Sequence, residues 1–375
     1  MRALKNLARA GALCAVVVGA QLACAAQIVV GQVAPLSGLD ANQGRAYAAG
    51  MQLGFNNANK AGGPHTFTLV RKDDGGRAED TVSVTRQMLA DDKPMVLAGF
   101  FGNRNIADLV ASGMLEKEKI ALVGYRTAEI HAETPMLFSV RAGLRDEIKK
   151  LTEHLATIGI TRLGLLYEEG PNAPALLVAA DEAAKKAKAT IIVKASYPAG
   201  TARVSPAVTT MTTGAAPQAI IMVASGAAAA GFIEQYRAAG GAAQLFAHSG
   251  ADIEQLSKRL SEEQMQGVAI AQVTPSPYKI ASRLGKEFSD TVARTKDLEV
   301  PVSYAMMEGY ITAKVIVEAV RRQGARPTRQ GTVDALDAMD SFDLGGYNVG
   351  FRPGMHTGSK FVELSIISGS GKIRQ

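Results

Sequence analysis

The chain has 375 residues, 41 Lys and Arg against 35 Asp and Glu, a formal charge of +6, and no Trp. Arg2, Lys5 and Arg9 lie in a leader, so the rest carries only about +3 with no polybasic block, which excludes a nucleic-acid footprint. Both cysteines, Cys14 and Cys24, lie in the leader too, which excludes a disulfide framework or a thiolate metal site beyond it.

The leader, residues 1–25, has the order of a secretory signal peptide. A positive stretch is followed by an apolar run from Ala10 to Ala20 and then by the small residues Ala23 to Ala26. The run is shorter than the ~20 residues a permanent span needs. Cleavage is expected at Ala25 or Ala26. A lipid anchor on Cys24 is the alternative, but Gln21 stands where a Leu is usual. The remaining chain exceeds the ~250–300 residues at which single cores stop growing, so two domains are expected.

Short apolar runs alternate with helical patterns, the signature of parallel α/β sheets. Ile28 to Val33 reads as a buried strand, Gln43 to Lys60 as a helix ending at Gly62-Gly63-Pro64, and Phe67 to Val70 as a strand. Glu79 to Ala90 is a helix, Met95 to Ala98 a strand, Asn105 to Lys117 a helix and Ile120 to Val123 a strand. A second set begins near Arg145, where Ile148, Leu151, Leu155 and Ile158 share a helical face. Leu163 to Tyr167, Ile191 to Ala195, Ala219 to Val223, Leu245 to Ala247 and Val268 to Val273 read as strands. Ala173 to Lys188, Ala227 to Ala239, Tyr278 to Arg294 and Val302 to Arg322 read as helices. The tail, Tyr347 to Phe351 and Phe361 to Ile367, reads as two strands around Pro353-Gly354.

Catalytic signatures are missing. No G-x-S-x-G, H-E-x-x-H or phosphate-loop pattern sits in a productive context. His65, His131, His154, His248 and His356 are scattered without ligand spacing. Asp73-Asp74 and Glu168-Glu169 are adjacent acids at strand ends, where a solvated edge is the common explanation. The sequence therefore points to no cofactor, no metal and no enzyme.

An ordered set of short motifs does stand out. It comprises Ile28-Val29-Val30-Gly31, Pro35-Leu36-Ser37-Gly38, Asn59-Lys60-Ala61-Gly62-Gly63, Lys72-Asp73-Asp74, Val140-Arg141, Tyr236-Arg237-Ala238-Ala239-Gly240 and Glu308-Gly309-Tyr310. In order and spacing the chain resembles the leucine/isoleucine/valine-type periplasmic binding proteins of ABC importers over nearly its whole mature length. The resemblance implies an α/β fold of two Rossmann-like lobes, each a parallel sheet flanked by helices, joined by a three-segment hinge. One lobe would span residues 27–143 plus 274–344, and the other 144–273 plus 345–375. It also implies a periplasmic monomer that binds a small molecule in the interlobe cleft and serves a membrane permease. A ligand-sensing module for a receptor is the alternative on the same fold.

The family's binding positions, carried over one by one, fall on Gln43, on Phe101, Gly102 and Asn103, on Tyr125, Arg126 and Thr127, and on Asn172, Ser225 and Ser249. The relatives have a carboxylate near Ser249 that pairs with a ligand ammonium. Here that position is a serine, and a new cation, Arg126, enters a cleft loop. The expectation is a ligand with a carboxylate and no free ammonium, held by the Arg126 fork. Amino acids are the runner-up. Otherwise Arg126 points to solvent or pairs with Glu129.

Overall fold

The computed structural model describes residues 26–128, 134–171, 173–367 and 373–374. The leader, and with it the cleavage-site expectation, lies outside the described residues, as do Glu129, His131 and Asn172.

The first sheet holds β1 (Ala26–Ala34), β2 (His65–Asp73), β3 (Val96–Ala98), β4 (Leu122–Val123) and β5 (Leu137–Phe138) in the order β2-β1-β3-β4-β5, all parallel. Between them run α1 (Ala41–Ala61), α2 (Ala78–Asp91), α3 (Asn103–Ala111) and α4 (Met114–Glu118). The predicted helix from Asn105 to Lys117 is two helices, broken at Ser112-Gly113, where Gly113 takes φ +63°. Alternation along the strands supplies both faces. On β1, Ile28 and Val30 join the core under α1, while Val33 joins the opposite face with Leu97, Leu122 and Ile106.

The second sheet is built after α5 (Leu144–Thr157) from β6 (Arg162–Glu168), β7 (Thr190–Tyr197), β8 (Ala219–Val223), β9 (Gln244–Ala247) and β10 (Ala269–Gln272). Its helices are α6 (Ala173–Lys186), α7 (Ser205–Thr213), α8 (Gly226–Ala238), α9 (Ile253–Arg259) and α10 (Glu262–Met265). On β8, Ile220 and Met222 face one core cluster, and Ala219, Ile221 and Val223 the other.

The chain then returns to the first lobe with α11 (Arg283–Ala293), α12 (Tyr304–Arg321), α13 (Arg329–Asp337) and the two-residue strands β11 (Phe342–Asp343) and β12 (Asn348–Val349). It crosses back to add β13 (Glu363–Ile367), antiparallel to β10, and β14 (Ile373–Arg374). The two tail strands read from the sequence contain β12 and β13, which pair not with each other but with β11 and β10. Tyr347, Val349 and Phe351 pack into the same core as α12 and β1.

The lobes are thus joined by three crossings. The Tyr347 hydroxyl lies 2.9 Å from the carbonyl oxygens of both Val140 and Val273, on the first and second crossings. α12 runs across the junction. Its body is buried in the first lobe, while Tyr304 at its start joins a second-lobe cluster and hydrogen-bonds Ser365 at 3.3 Å.

Candidate functional site

The carboxyl ends of both sheets meet at a cleft of about 390 Å³, the location at which open parallel sheets present ligand-binding loops. First-lobe walls come from the β1–α1 turn, the start of α3 and the loop after β4. Second-lobe walls come from Glu168, the turn at Gly200, Ser225 and His248.

Local chemistry fixes each wall. Asp73 Oδ1 accepts from the amides of Leu36, Ser37 and Gly75 at 2.9, 3.2 and 2.8 Å, stapling the β1–α1 turn to the end of β2. Asp74 accepts from Gly76 N at 2.9 Å and Thr81 Oγ1 at 2.7 Å. The two acids are loop staples, where a solvated edge was expected. α3 starts at Gly102, whose φ of +104° suits only glycine and whose added Cβ would collide with Asn105 Oδ1. No side chain caps this helix, so its first-turn amides open onto the cleft that Gly102, Asn103 and Arg104 line. Asn103 Oδ1 accepts from Thr127 Oγ1 (3.1 Å) and Ala128 N (2.7 Å), joining the two first-lobe loops.

Arg126 is the centre of the wall. Its Nε and Nη2 donate to one oxygen of Glu308 at 3.0 and 2.7 Å, and its Nη1 donates to Gln43 Oε1 at 2.8 Å. The guanidinium carbon lies 5.9 Å from the Tyr47 ring centre and 5.5 Å from that of Phe101. Burial opposes its charge, but Glu308 more than offsets this and holds its pKa above the usual arginine value. The expected free fork is therefore already engaged by Glu308 and Gln43 and does not point to solvent, while the Glu129 alternative lies outside the described residues.

Glu308 also lies 3.7 Å from Arg141 Nη1, and Arg141 Nη2 donates to Glu147 at 2.8 Å. Glu147 in turn accepts from Ser249 N at 2.7 Å and Ser249 Oγ at 3.1 Å, and Arg141 also reaches that hydroxyl. The position expected to lack an acid is thus served by Glu147, reaching in from α5, with Arg141 neutralising it. His248 is buried, and burial holds its pKa below the ordinary value. Its Nδ1 faces Gly250 N at 3.3 Å and its Nε2 faces Ala224 O at 3.0 Å, which assigns a neutral ring protonated on Nε2.

Besides the Arg141 contacts to Glu147 and Ser249, hydrogen bonds among the described residues also close the cleft from lobe to lobe. Gln43 Nε2 donates to Gly250 O (3.3 Å), Asn103 Nδ2 to Glu168 Oε2 (2.9 Å) and Gln255 Nε2 to Leu39 O (3.4 Å).

Of the expected positions, Gln43, Phe101, Gly102, Asn103, Arg126, Thr127 and Ser225 line the cleft. Tyr125 instead packs against the Val33, Leu97 and Ile106 cluster, because adjacent residues of an extended loop face opposite ways and Arg126 takes the inward direction. Ser249 is withdrawn into the Arg141–Glu147 network. Sequence reasoning missed Glu147 and Glu308. A signal existed for both: each is a charge on an otherwise apolar helical stripe, and a buried charge needs a partner. Among the described residues no three His, Cys, Asp or Glu come together to hold a metal.

The model of the family described as "Periplasmic binding protein" matches residues 27–364. A substrate-binding periplasmic protein from Ralstonia solanacearum superposes with a TM-score of 0.87 at 36% identity, over 93% of this chain and 99% of the other. The chain belongs to the periplasmic binding protein family. Its fold recurs in a Streptococcus pneumoniae branched-chain amino acid transporter substrate-binding protein solved with isoleucine (18% identity, TM-score 0.75, 93% and 98% covered). It recurs also in an R. palustris ABC-transporter solute-binding protein solved with benzoate (15% identity, TM-score 0.78, 93% and 95% covered). No curated protein sequence matches the chain. The family's members are substrate-binding proteins, and the two-lobe α/β architecture expected from the sequence is the one observed.

Proposed function

We propose that this chain is the solute-binding component of an ABC importer, exported to the periplasm by its leader, and that it captures one small carboxylate-bearing molecule between its lobes for a membrane permease. The observation that carries this reading is the set of bonds across the cleft, Gln43 to Gly250, Asn103 to Glu168 and Gln255 to Leu39. They exist only with the lobes together, so a ligand touching both walls favours the shape that a permease reads.

The uncapped start of α3 suits the ligand's anionic group, since first-turn amides and the helix dipole both favour negative charge. Two free N–H groups of Arg126 can add to it, but only from the edge that Glu308 leaves. We read the cleft as a binder and not a catalyst, because its strongest acids and bases are engaged with one another: Arg126 with Glu308, Arg141 with Glu147, and both nitrogens of His248 with backbone. We place the first lobe at residues 27–143 and from 274 to about Phe361, with the rest forming the second, following the packing of Tyr347 and Phe351.

A thermal-shift screen of amino acids, aromatic acids and small organic acids tests the reading. A true ligand at a hundred times its Kd adds ~2.7 kcal/mol of stability. If no such acid raises the melting temperature, the reading fails.

A further inference from the structure

We propose that Asp40 is the ligand-recognition residue that takes a protonated nitrogen, or an equivalent N–H donor, on the bound molecule. This rests on the reading of the cleft as a ligand site and narrows the class of ligand.

Asp40 lines the cleft at the start of α1. An aspartate at a helix start ordinarily turns its carboxylate onto the first-turn amides. Here it does not: its backbone oxygen accepts from Gln43 N and Gly44 N at 3.0 and 3.2 Å, and the side chain makes no capping bond. Its Oδ1 is enclosed and, among the described residues, no group donates to it. An enclosed carboxylate oxygen without a donor is costly.

The charges around it offer no relief. Arg126 and Arg141 are committed to Glu308 and Glu147, Arg77 to Asp80, and Arg104 to Asp108. Glu168, the cleft's other buried-side acid, already accepts from Asn103 Nδ2, Gly200 N and Tyr197 Oη. Asp252 of the second lobe adds a like charge. Burial first and Asp252 second push the Asp40 pKa up to about 6. A carboxylate that neither caps its helix nor pairs with a cation is explained by a donor arriving with the ligand. Together with the amides of α3, this gives the cleft one place for an anion and a separate place for a donor. It favours a ligand that carries such a nitrogen over one that lacks it.

The test compares wild type with Asp40→Asn and Asp40→Ala in two arms. In the first, the ligand-free proteins are melted at pH 7.5. Removing an unpartnered, repelled charge should leave the melting temperature unchanged or raise it by about 1–3 °C. A fall of that size in both variants would make Asp40 a structural cap and overturn the proposal. In the second, calorimetry uses matched acids with and without a nitrogen: leucine and 4-methylpentanoate, 5-aminopentanoate and pentanoate, 4-aminobenzoate and benzoate. Wild type should hold the nitrogen-bearing member of a pair roughly tenfold or more tightly, and Asp40→Asn should shrink that gap to about threefold or less without weakening the plain acid. An undiminished gap in Asp40→Asn, or a plain acid preferred by wild type, overturns the assignment. Refusal of every acid by all three proteins counts against the small-acid reading of the cleft, and the melting arm then decides Asp40.

Discussion

Arg126 and Glu308, 182 residues apart in sequence, meet in the cleft wall through two hydrogen bonds of 3.0 and 2.7 Å to a single carboxylate oxygen. Both side chains are almost wholly buried, at 8% and 0% exposure. The guanidinium shape that suggested a ligand fork is here part of the scaffold that holds Gln43 in place.

Breaking that pair from one side should be expensive. Glu308→Gln or Arg126→Met leaves one buried charge uncompensated, a loss of ~3–5 kcal/mol. The double change Arg126→Met with Glu308→Leu removes both charges and should cost clearly less than the sum of the singles. Urea unfolding of the four proteins checks this, and additive losses would show that the two residues act independently.

The bonds across the cleft should matter to closure, beside a loss of ligand-free stability from the first-lobe bonds that Gln43 makes to Arg126 and Asn103 to Thr127 and Ala128. Gln43→Ala and Asn103→Ala each delete one lobe-to-lobe bond, worth ~0.5–1.5 kcal/mol net, so ligand affinity should fall by roughly two- to twelvefold per substitution. Calorimetry with a screen hit, beside melting of the ligand-free proteins, separates this from a general loss of stability.

Glu254 supplies a pH signature. Burial and the neighbouring Asp252 push its pKa up to about 8, while its Oε1 accepts from Tyr278 Oη at 2.6 Å and Tyr304 N at 2.9 Å. The folded protein therefore holds a proton that the unfolded chain releases at the ordinary glutamate value. Stability from this group is fully present at the acid end and is lost as pH rises toward about 8. Asp40 acts in the same direction up to about 6. Melting temperature should rise as pH falls from 8.5 toward 5, and Glu254→Gln, which mimics the protonated acid, should flatten the upper part of that curve. An unaltered curve in the variant would move the effect elsewhere.

Gly102→Ala tests the α3 amide site. Its φ of +104° and the collision with Asn105 both oppose a Cβ, so a stability loss of ~1–3 kcal/mol is expected, with a larger fractional loss of ligand affinity. Normal binding by this variant would separate α3 from the ligand.

How far the sequence could lead follows from how far apart the interacting residues lie. The β1–α1–β2 unit was legible because its signals are local: an apolar run, a helical face and a Gly-Gly-Pro stop. α7 was not read, because Ser205 to Thr213 carries four threonines with weak helix preference, and only Pro206 in its first turn marks a start. β11 holds two residues, too short for any period, and was not read, whereas the two tail strands read from Tyr347 and Phe361 contain β12 and β13. The cleft loops were placed from the resemblance, and seven of the nine expected positions among the described residues line the wall. The partner of Arg126 was hidden by distance along the chain, as was the reach of Glu147 to Ser249 across 102 positions. A buried acid on an apolar helix face says that a cation must exist, but not which one.

The most direct test of the whole account is small-angle X-ray scattering of the protein with and without a hit from the thermal-shift screen. Saturating ligand should lower the radius of gyration, and Gln43→Ala with Asn103→Ala should blunt the change at equal occupancy. A ligand that binds by calorimetry while the radius stays constant in wild type would contradict closure of the lobes around it.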